Sequence, residues 1–253
     1  MLRTRVIPAL LVLDGSLVKT VNFKNPNYIG DPCNTVRIFN DLEVDELMVL
    51  DISSDRHVRG PDLDLIRQLS DECFMPLSYG GGVRSFSDAQ SLFSLGIEKV
   101  VLNTSALKDP SIITSISSIY GSQAVIVSID VKQGFWGSET VRSCNGKHRT
   151  GIDPISWAKK VVEYGAGEIL LTSIAREGTW SGFDIDLLHN VSSAVEVPVI
   201  AHGGAGNLQD IGYAVSLGGA SAVALGSMVV FQKRGMGVLV NFPAQSDLLN
   251  VLN

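Results

Sequence analysis

The stretch "PLSYGGGVRSFSDAQSLFSLG" (Pro76–Gly96) returns, 122 residues later and without a gap, as "PVIAHGGAGNLQDIGYAVSLG" (Pro198–Gly218). Pro76 meets Pro198, Gly81-Gly82 meet Gly203-Gly204, Asp88 meets Asp210, and Ser94-Leu95-Gly96 meets Ser216-Leu217-Gly218. The register holds outward on both sides. Glu46 meets Glu168, Gly60-x-Asp62-x-Asp64-Leu65 meets Gly182-x-Asp184-x-Asp186-Leu187, and Ser105 meets Ser227. General likeness among βα units would produce matches at multiples of about 30 residues. A match at half the chain alone points to two fused halves, about 1–122 and 123–253, with approximate twofold symmetry.

What each half contains follows from the apolar runs. "VIPALL", "ELMVLD", "MPLSY", "KVVLN", "AVIVSID", "EILLTS", "VPVIA" and "SAVAL" are short and continuous, as strands buried on both faces must be. Segments of helical period such as "DLDLIRQLSDE", "SFSDAQSLFSLG" and "PISWAKKVVEYG" lie between them. Eight such units predict an α/β fold, a single (β/α)8 TIM barrel spanning residues 1–253. With 45% hydrophobic residues and a mean hydropathy of +0.23, the chain can bury a large core.

The formal charge of −6, with no Lys/Arg cluster, argues against nucleic acid or an anionic membrane as partner. Backbone amides can still bind a small phosphorylated ligand. Cys33, Cys73 and Cys144 have no metal-like spacing and give no disulfide framework, which fits a reducing cytoplasm. The apolar run Val6–Leu13 superficially resembles a signal peptide, but it is short and lacks a small-residue cleavage site. No run approaches the ~18 apolar residues of a membrane span. No metal or cofactor is expected.

In such barrels the chemistry sits where the strands end. Two of those ends are glycine-rich, "SYGGGVRS" after strand three and "AHGGAGN" after strand seven, and "REGT" (Arg176–Thr179) offers a third turn. Side-chain-free turns at helix N-termini let amides approach an anion closely. Strand-four end Asn103-Thr104-Ser105 and strand-eight end Gly226-Ser227 add hydroxyls beside them. Two symmetry-related sites imply a ligand with a phosphate at each end. Between them, "AVIVSIDVKQG" (Ala124–Gly134) laid on "RVIPALLVLDG" (Arg5–Gly15) puts Asp130 opposite Leu11. A strand-terminal carboxylate suits general acid–base work; a helix cap or a salt bridge to Lys132 is the blander reading. Asp51, ending strand two, is placed to orient a substrate hydroxyl or a lysine. Lys19, in the polar stretch "SLVKTVNFKNPNYIGDP", is expected to reach over the mouth as part of a lid loop running through Gly30. At the opposite end Arg5, Glu46, Lys99 and Glu168 begin strands one, two, four and six, two cations and two anions; bare sequence favours a structural salt-bridge plug.

Together these residues resemble the cyclase subunit of imidazole glycerol phosphate synthase, the HisF family, over essentially the whole chain. The motifs are "RVIP", "DG.LVK..NF", "DEL..LDI", "GGGVRS", "GIEKV.LNTSAL", "GSQAVIVSID", "GAGEILLTSI.REGT.SGFD" and "PVIAHGGAGN". The resemblance implies ammonia made by a glutaminase subunit docked at the barrel bottom, passed up the core, and used at the top on a ribulosyl intermediate resembling a sugar bisphosphate. It makes Arg5, Glu46, Lys99 and Glu168 the gate of that path and puts Glu98 and Gln123 at the partner-facing end. Gly81, Gly82, Asn103 and Thr104 then bind one phosphate; Gly178, Thr179, Gly203, Gly204, Gly226 and Ser227 bind the other.

The family's acid–base pair is two aspartates, at the ends of strands one and five. Here Asp130 stands and Leu11 replaces its partner; Ala175 likewise replaces an acid common in the strand-six turn. A general acid or base contributes typically ~10²–10⁴-fold, and leucine transfers no proton. The pattern, with the C-terminal "GSMVVFQKRGMGVLVNFP", resembles a divergent branch associated with sugar amidation in lipopolysaccharide pathways. There the barrel and its glutaminase supply ammonia to an ATP-dependent sugar amidotransferase that makes an acetamidino group. Three functions follow: such an ammonia-relaying subunit, the histidine-biosynthetic cyclase with another group in place of the aspartate, or a non-catalytic activator of the glutaminase.

Overall fold

The computed structural model describes residues 4–53, 56–134 and 137–252. Eight parallel strands close into a barrel: β1 (Arg5–Leu13), β2 (Leu47–Asp51), β3 (Leu77–Gly80), β4 (Lys99–Leu102), β5 (Val125–Gln133), β6 (Glu168–Ser173), β7 (Val199–His202) and β8 (Ala222–Leu225). Each pairs with the next, and β8 pairs with β1 from Arg5↔Ala222 to Pro8↔Leu225. The fold is the α/β TIM barrel that the apolar runs predict, because strands buried on both faces need helices outside and one another's side chains inside.

Strand periodicity of two divides the apolar residues into two clusters. Val6, Leu10 and Val12 of β1 and Val125, Val127 and Ile129 of β5 face the helices, within the larger core. Ile7, Ala9, Met48, Val101, Ile126, Leu170, Ile200, Ala222 and Ala224 fill the bore. The bore is therefore an apolar column, with alanines as its smallest side chains, and polar at both ends.

The internal repeat is visible in local chemistry. Helices Phe86–Ser94 and Leu208–Ser216 both open with reciprocal capping boxes, Ser85 with Asp88 and Asn207 with Asp210. Helices Leu63–Glu72 and Ile185–Ser192 are capped by Asp62 and Asp184, whose side chains accept from the Leu65 and Leu187 amides. Short helical turns follow β4 (Thr104–Lys108) and β8 (Ser227–Val229).

Two hairpins break the barrel's regularity at its C-terminal end. The segment read as a lid loop is an antiparallel hairpin, Ser16–Val21 with Lys24–Gly30, continuing β1. Its strand positions are hidden in sequence because the outer strand is polar and exposed, so no apolar run marks it. The second hairpin continues β5, pairing Asp130–Gln133 with Glu139–Ser143, which in turn pairs with His148–Arg149.

Candidate active site at the barrel mouth and charged ring at its base

The four strand-start charges meet across the bottom of the bore. Arg5 Nη1 donates to Glu46 Oε2 at 2.7 Å and Nη2 to Glu168 Oε2 at 2.8 Å. Lys99 Nζ donates to both Glu46 Oε1 and Glu168 Oε1 at 2.9 Å. Cations and anions thus alternate around a closed square, and the Ser78 hydroxyl adds a bond of 3.2 Å to Glu46. The carboxylates are nearly inaccessible (side chains 5% and 10% exposed), while Arg5 keeps 27%. Glu98 and Gln123 are exposed at the same end of the barrel, beside the starts of β4 and β5.

At the other end a cavity of about 320 Å³ opens, lined by strand ends and by the turns after β2, β3 and β4. Leu11, Asn103, Ser128, Asp130, Thr172 and His202 all face it. Asp130 is buried and accepts from Ser128 Oγ at 3.0 Å and Asn103 Nδ2 at 3.2 Å. Burial raises its pKa to about 6, against the opposing pull of hydrogen bonds from Ser128 and Thr172. Lys132 is exposed, so this carboxyl is held within the mouth rather than by its neighbour on the strand. Leu11 lines the same cavity and is itself buried.

The glycine-rich turns divide unequally. Gly81, Gly82 and Thr104 line the large cavity, together with Ser105 and Lys108 of the short helical turn. Gly81 has φ +128°, and a Cβ there would lie 2.5 Å from the Asp51 carbonyl oxygen, so its lack of a side chain serves the fold as well. Asn103 lines the cavity too, and its side-chain amide donates to Ser128 O at 3.1 Å and Asp130 Oδ2 at 3.2 Å, which positions that carboxylate. The Thr104 hydroxyl accepts from the Cys144 amide of the second hairpin at 3.1 Å.

The symmetry-related end is nearly filled. Gly178, Gly203, Gly204, Gly226 and Ser227 enclose a recess of only about 20 Å³ with Lys19, Glu177 and His202. Thr179 lies back from it, donating to Arg176 O at 2.6 Å and pairing with the Ser181 hydroxyl at 2.7 Å. Gly204 meets its own constraint: φ is +117° and a Cβ would lie 2.1 Å from Gly182 O.

One expectation needs correcting. Lys19 is no mobile lid residue. It is 4% exposed, with Nζ donating to Ala9 O just above the point where the β1–β8 ladder ends. Burial lowers its pKa to about 8, against the raising effect of Glu177. Asp51 does line the large cavity, with its carboxylate engaged: Oδ1 accepts from the Ser53 amide at 2.9 Å and Oδ2 lies 3.5 Å from the Tyr79 hydroxyl.

Two residues were missed. Glu177 is buried and clamps the first hairpin, accepting from Thr20 Oγ1 and the Phe23 amide at 2.9 Å each. It sits inside "REGT", where the turn drew attention and the carboxylate did not. His202 ends β7 as Asp130 ends β5, so the same positional criterion would have found it. Burial, with the nearby charge of Lys19, pushes its pKa down to about 3.

A (β/α)8 barrel with a charge ring below and a cavity above, edged by glycine turns and holding one buried acid, has the layout of a small-molecule enzyme. Residues 5–234 match the family described as "Histidine biosynthesis protein", and the chain belongs to it as a HisF-type member. It is 49% identical over 248 residues to a Pseudomonas aeruginosa protein provisionally named imidazole glycerol phosphate synthase subunit hisF2, covering 98% of this chain and 99% of that one. It is 46% identical over 238 residues to imidazole glycerol phosphate synthase subunit HisF of Caulobacter vibrioides (94% and 92% covered), and 42% over 228 residues to that of Alkaliphilus metalliredigens (90% of each).

Proposed function

We propose that this chain is the synthase subunit of a glutamine-dependent complex. It takes ammonia from a glutaminase at the N-terminal face and passes it through the bore for nitrogen transfer to a phosphorylated or nucleotide-activated sugar. The observation that carries this reading is the charge ring. Four mutually satisfied side chains close the bore at one end, in line with a mouth that holds a buried acid at the other. A ring that only stabilised the barrel would need no such alignment. Phe74, 86% exposed in the turn before β3, adds an apolar contact beside Glu98 and Gln123 for a docked partner.

Leu11 favours an acceptor other than the substrate of imidazole glycerol phosphate synthase, the amidated surface sugar being our first choice, with an ATP-dependent amidotransferase as further partner. The second reading is that synthase's own cyclase activity in histidine biosynthesis, supported by the names of the relatives. Both place the protein in the cytoplasm. Purification with a candidate glutaminase, followed by glutamine hydrolysis with and without each acceptor, tests them. Stimulation by the sugar supports the first reading, stimulation by the histidine-pathway substrate the second, and hydrolysis indifferent to both defeats the pair.

A further inference from the structure

Between Asp130 and the filled recess runs a chain of three side chains on adjacent strands. Asp130, Thr172 and His202 are register partners on β5, β6 and β7, all facing the mouth. Thr172 stands beside Asp130 in the β5–β6 register and, as a hydrogen-bonding neighbour, pulls its pKa down, while its Oγ1 lies 3.1 Å from His202 Nδ1. A hydroxyl has one proton. Given to the Asp130 oxygen, it leaves Oγ1 as acceptor, so Nδ1 must carry the imidazole proton and Nε2 must be bare. A methyl group placed on Gly226 would lie 4.0 Å from Nε2 and 3.1 Å from Lys19 Nζ, which puts the bare nitrogen toward the recess where Leu11 also sits.

We infer that His202 Nε2 is the second proton-transfer atom of the mouth, serving the half that Leu11 leaves without one. This rests on the reading that nitrogen is transferred at this mouth. The step balances with no co-reactant. The ammonia lone pair forms a C–N bond at an electrophilic carbonyl carbon of the ligand, and the C–O π pair moves to oxygen. That oxygen takes the proton of the Asp130 carboxylic acid. The nitrogen, now cationic, gives a proton to Nε2. The Nδ1 proton then passes through the Thr172 hydroxyl to Asp130, which restores the acid and leaves the imidazole as its Nε2–H form, reset to Nδ1–H by proton exchange with water before the next turnover. One proton has moved from nitrogen to oxygen.

The charged and titratable groups around the imidazole are Lys19 from the first hairpin, Glu177 from the turn after β6, and Asp130 from β5. The Lys19 charge and burial both keep the imidazole neutral, and so keep Nε2 an acceptor across the usual pH range. Neutral imidazole, rather than imidazolium, is the form the relay needs.

The first test is nitrogen-15 histidine NMR on the full chain. We expect His202 as the Nδ1–H tautomer with shifts constant from pH 8 to pH 5, and a mixed tautomer in Thr172→Val. An Nε2–H tautomer, or an imidazolium at pH 7, overturns the inference. The second supplies ammonium salt without glutaminase and uses the substrate of imidazole glycerol phosphate synthase as probe. Residual kcat should fall about 10²-fold in both His202→Ala and the isosteric His202→Gln, with KM and melting temperature little changed. A fall below threefold overturns it, and where the wild type is inert toward the probe the tautomer read by NMR decides alone. Neither readout involves passage through the bore, so failure here is separate from failure of the ammonia path, which is read from the coupling of glutamine use to product.

Discussion

The two halves of this barrel share their caps, turns and strand register, yet their mouths differ. On the β2–β4 side the turns open into about 320 Å³; on the β6–β8 side the equivalent turns enclose about 20 Å³. The difference comes from where the hairpin after β1 puts its side chains. The hairpin after β1 drops Lys19 into the gap above the β1–β8 ladder and is clamped by Glu177, with Phe23 and Ile174 packed close to Gly146 of the other hairpin. A symmetric scaffold thus gives an asymmetric site, with the acid on the open side and an imidazole and an amine on the closed one. The lesson is that a repeat fixes where ligands dock, while the departures from the repeat decide what happens between them.

The largest expected effect tests the departure at Leu11. Given ammonia and the histidine-pathway substrate, the barrel should turn over at least ~10²-fold slower than a relative with aspartate there, and Leu11→Asp should recover part of that rate. Steady-state kinetics of the two chains side by side checks this; equal rates would mean the second carboxylate is dispensable on this scaffold.

Next in size is the energetic cost of the buried acid. Asp130 has its folded pKa raised above its unfolded value, so its contribution to stability is full below about pH 4 and is lost as pH rises through about 6. Above that, ionisation in a buried site costs about 3 kcal/mol. Asp130→Asn should therefore be more stable than wild type at pH 8 by up to that amount and no more stable at pH 4. Denaturant melts at the two pH values decide it, and an equal difference at both would mean the carboxyl is not desolvated.

A smaller effect probes the closed side directly. Phosphate titrated into crystals should occupy the Gly82/Thr104 end first. The Gly204/Ser227 end should fill only at several-fold higher concentration, because Lys19 and Glu177 must yield space. Glu177→Gln, which weakens the clamp on Thr20 and Phe23, should narrow that gap. Equal occupancy at both ends in the wild type would remove the asymmetry.

The barrel and its repeat were legible because both depend on short-range pattern: apolar runs, paired glycines and capping residues at fixed spacing. Asp130 was legible because a carboxylate ending a buried run is conspicuous. His202 ends an equally buried run, but the glycines that follow it dominate the local pattern. Lys19 was placed over the mouth because a polar segment reads as a loop. The hairpin that buries it takes its order from pairing with β1 and from Glu177, 157 residues away between the bonded side chains of Thr20 and Glu177. Contacts set by partners distant in sequence were what the pattern left open.

The central claim is that the ring at the base controls the passage of nitrogen, and Lys99→Ala is the substitution that separates control from mere support. Removing Lys99 leaves Glu46 and Glu168 sharing Arg5, which should cost about 3 kcal/mol, or roughly 6–12 °C in Tm for a chain of this size. The decisive quantity is the ratio of nitrogen-containing product formed to glutamine consumed by the mutant barrel in complex with its glutaminase, measured below the lowered Tm. The account predicts that the folded complex still hydrolyses glutamine while the ratio falls well below that of the wild type. A ratio unchanged from wild type, alongside the drop in Tm, would contradict it and leave the four charges as structure alone.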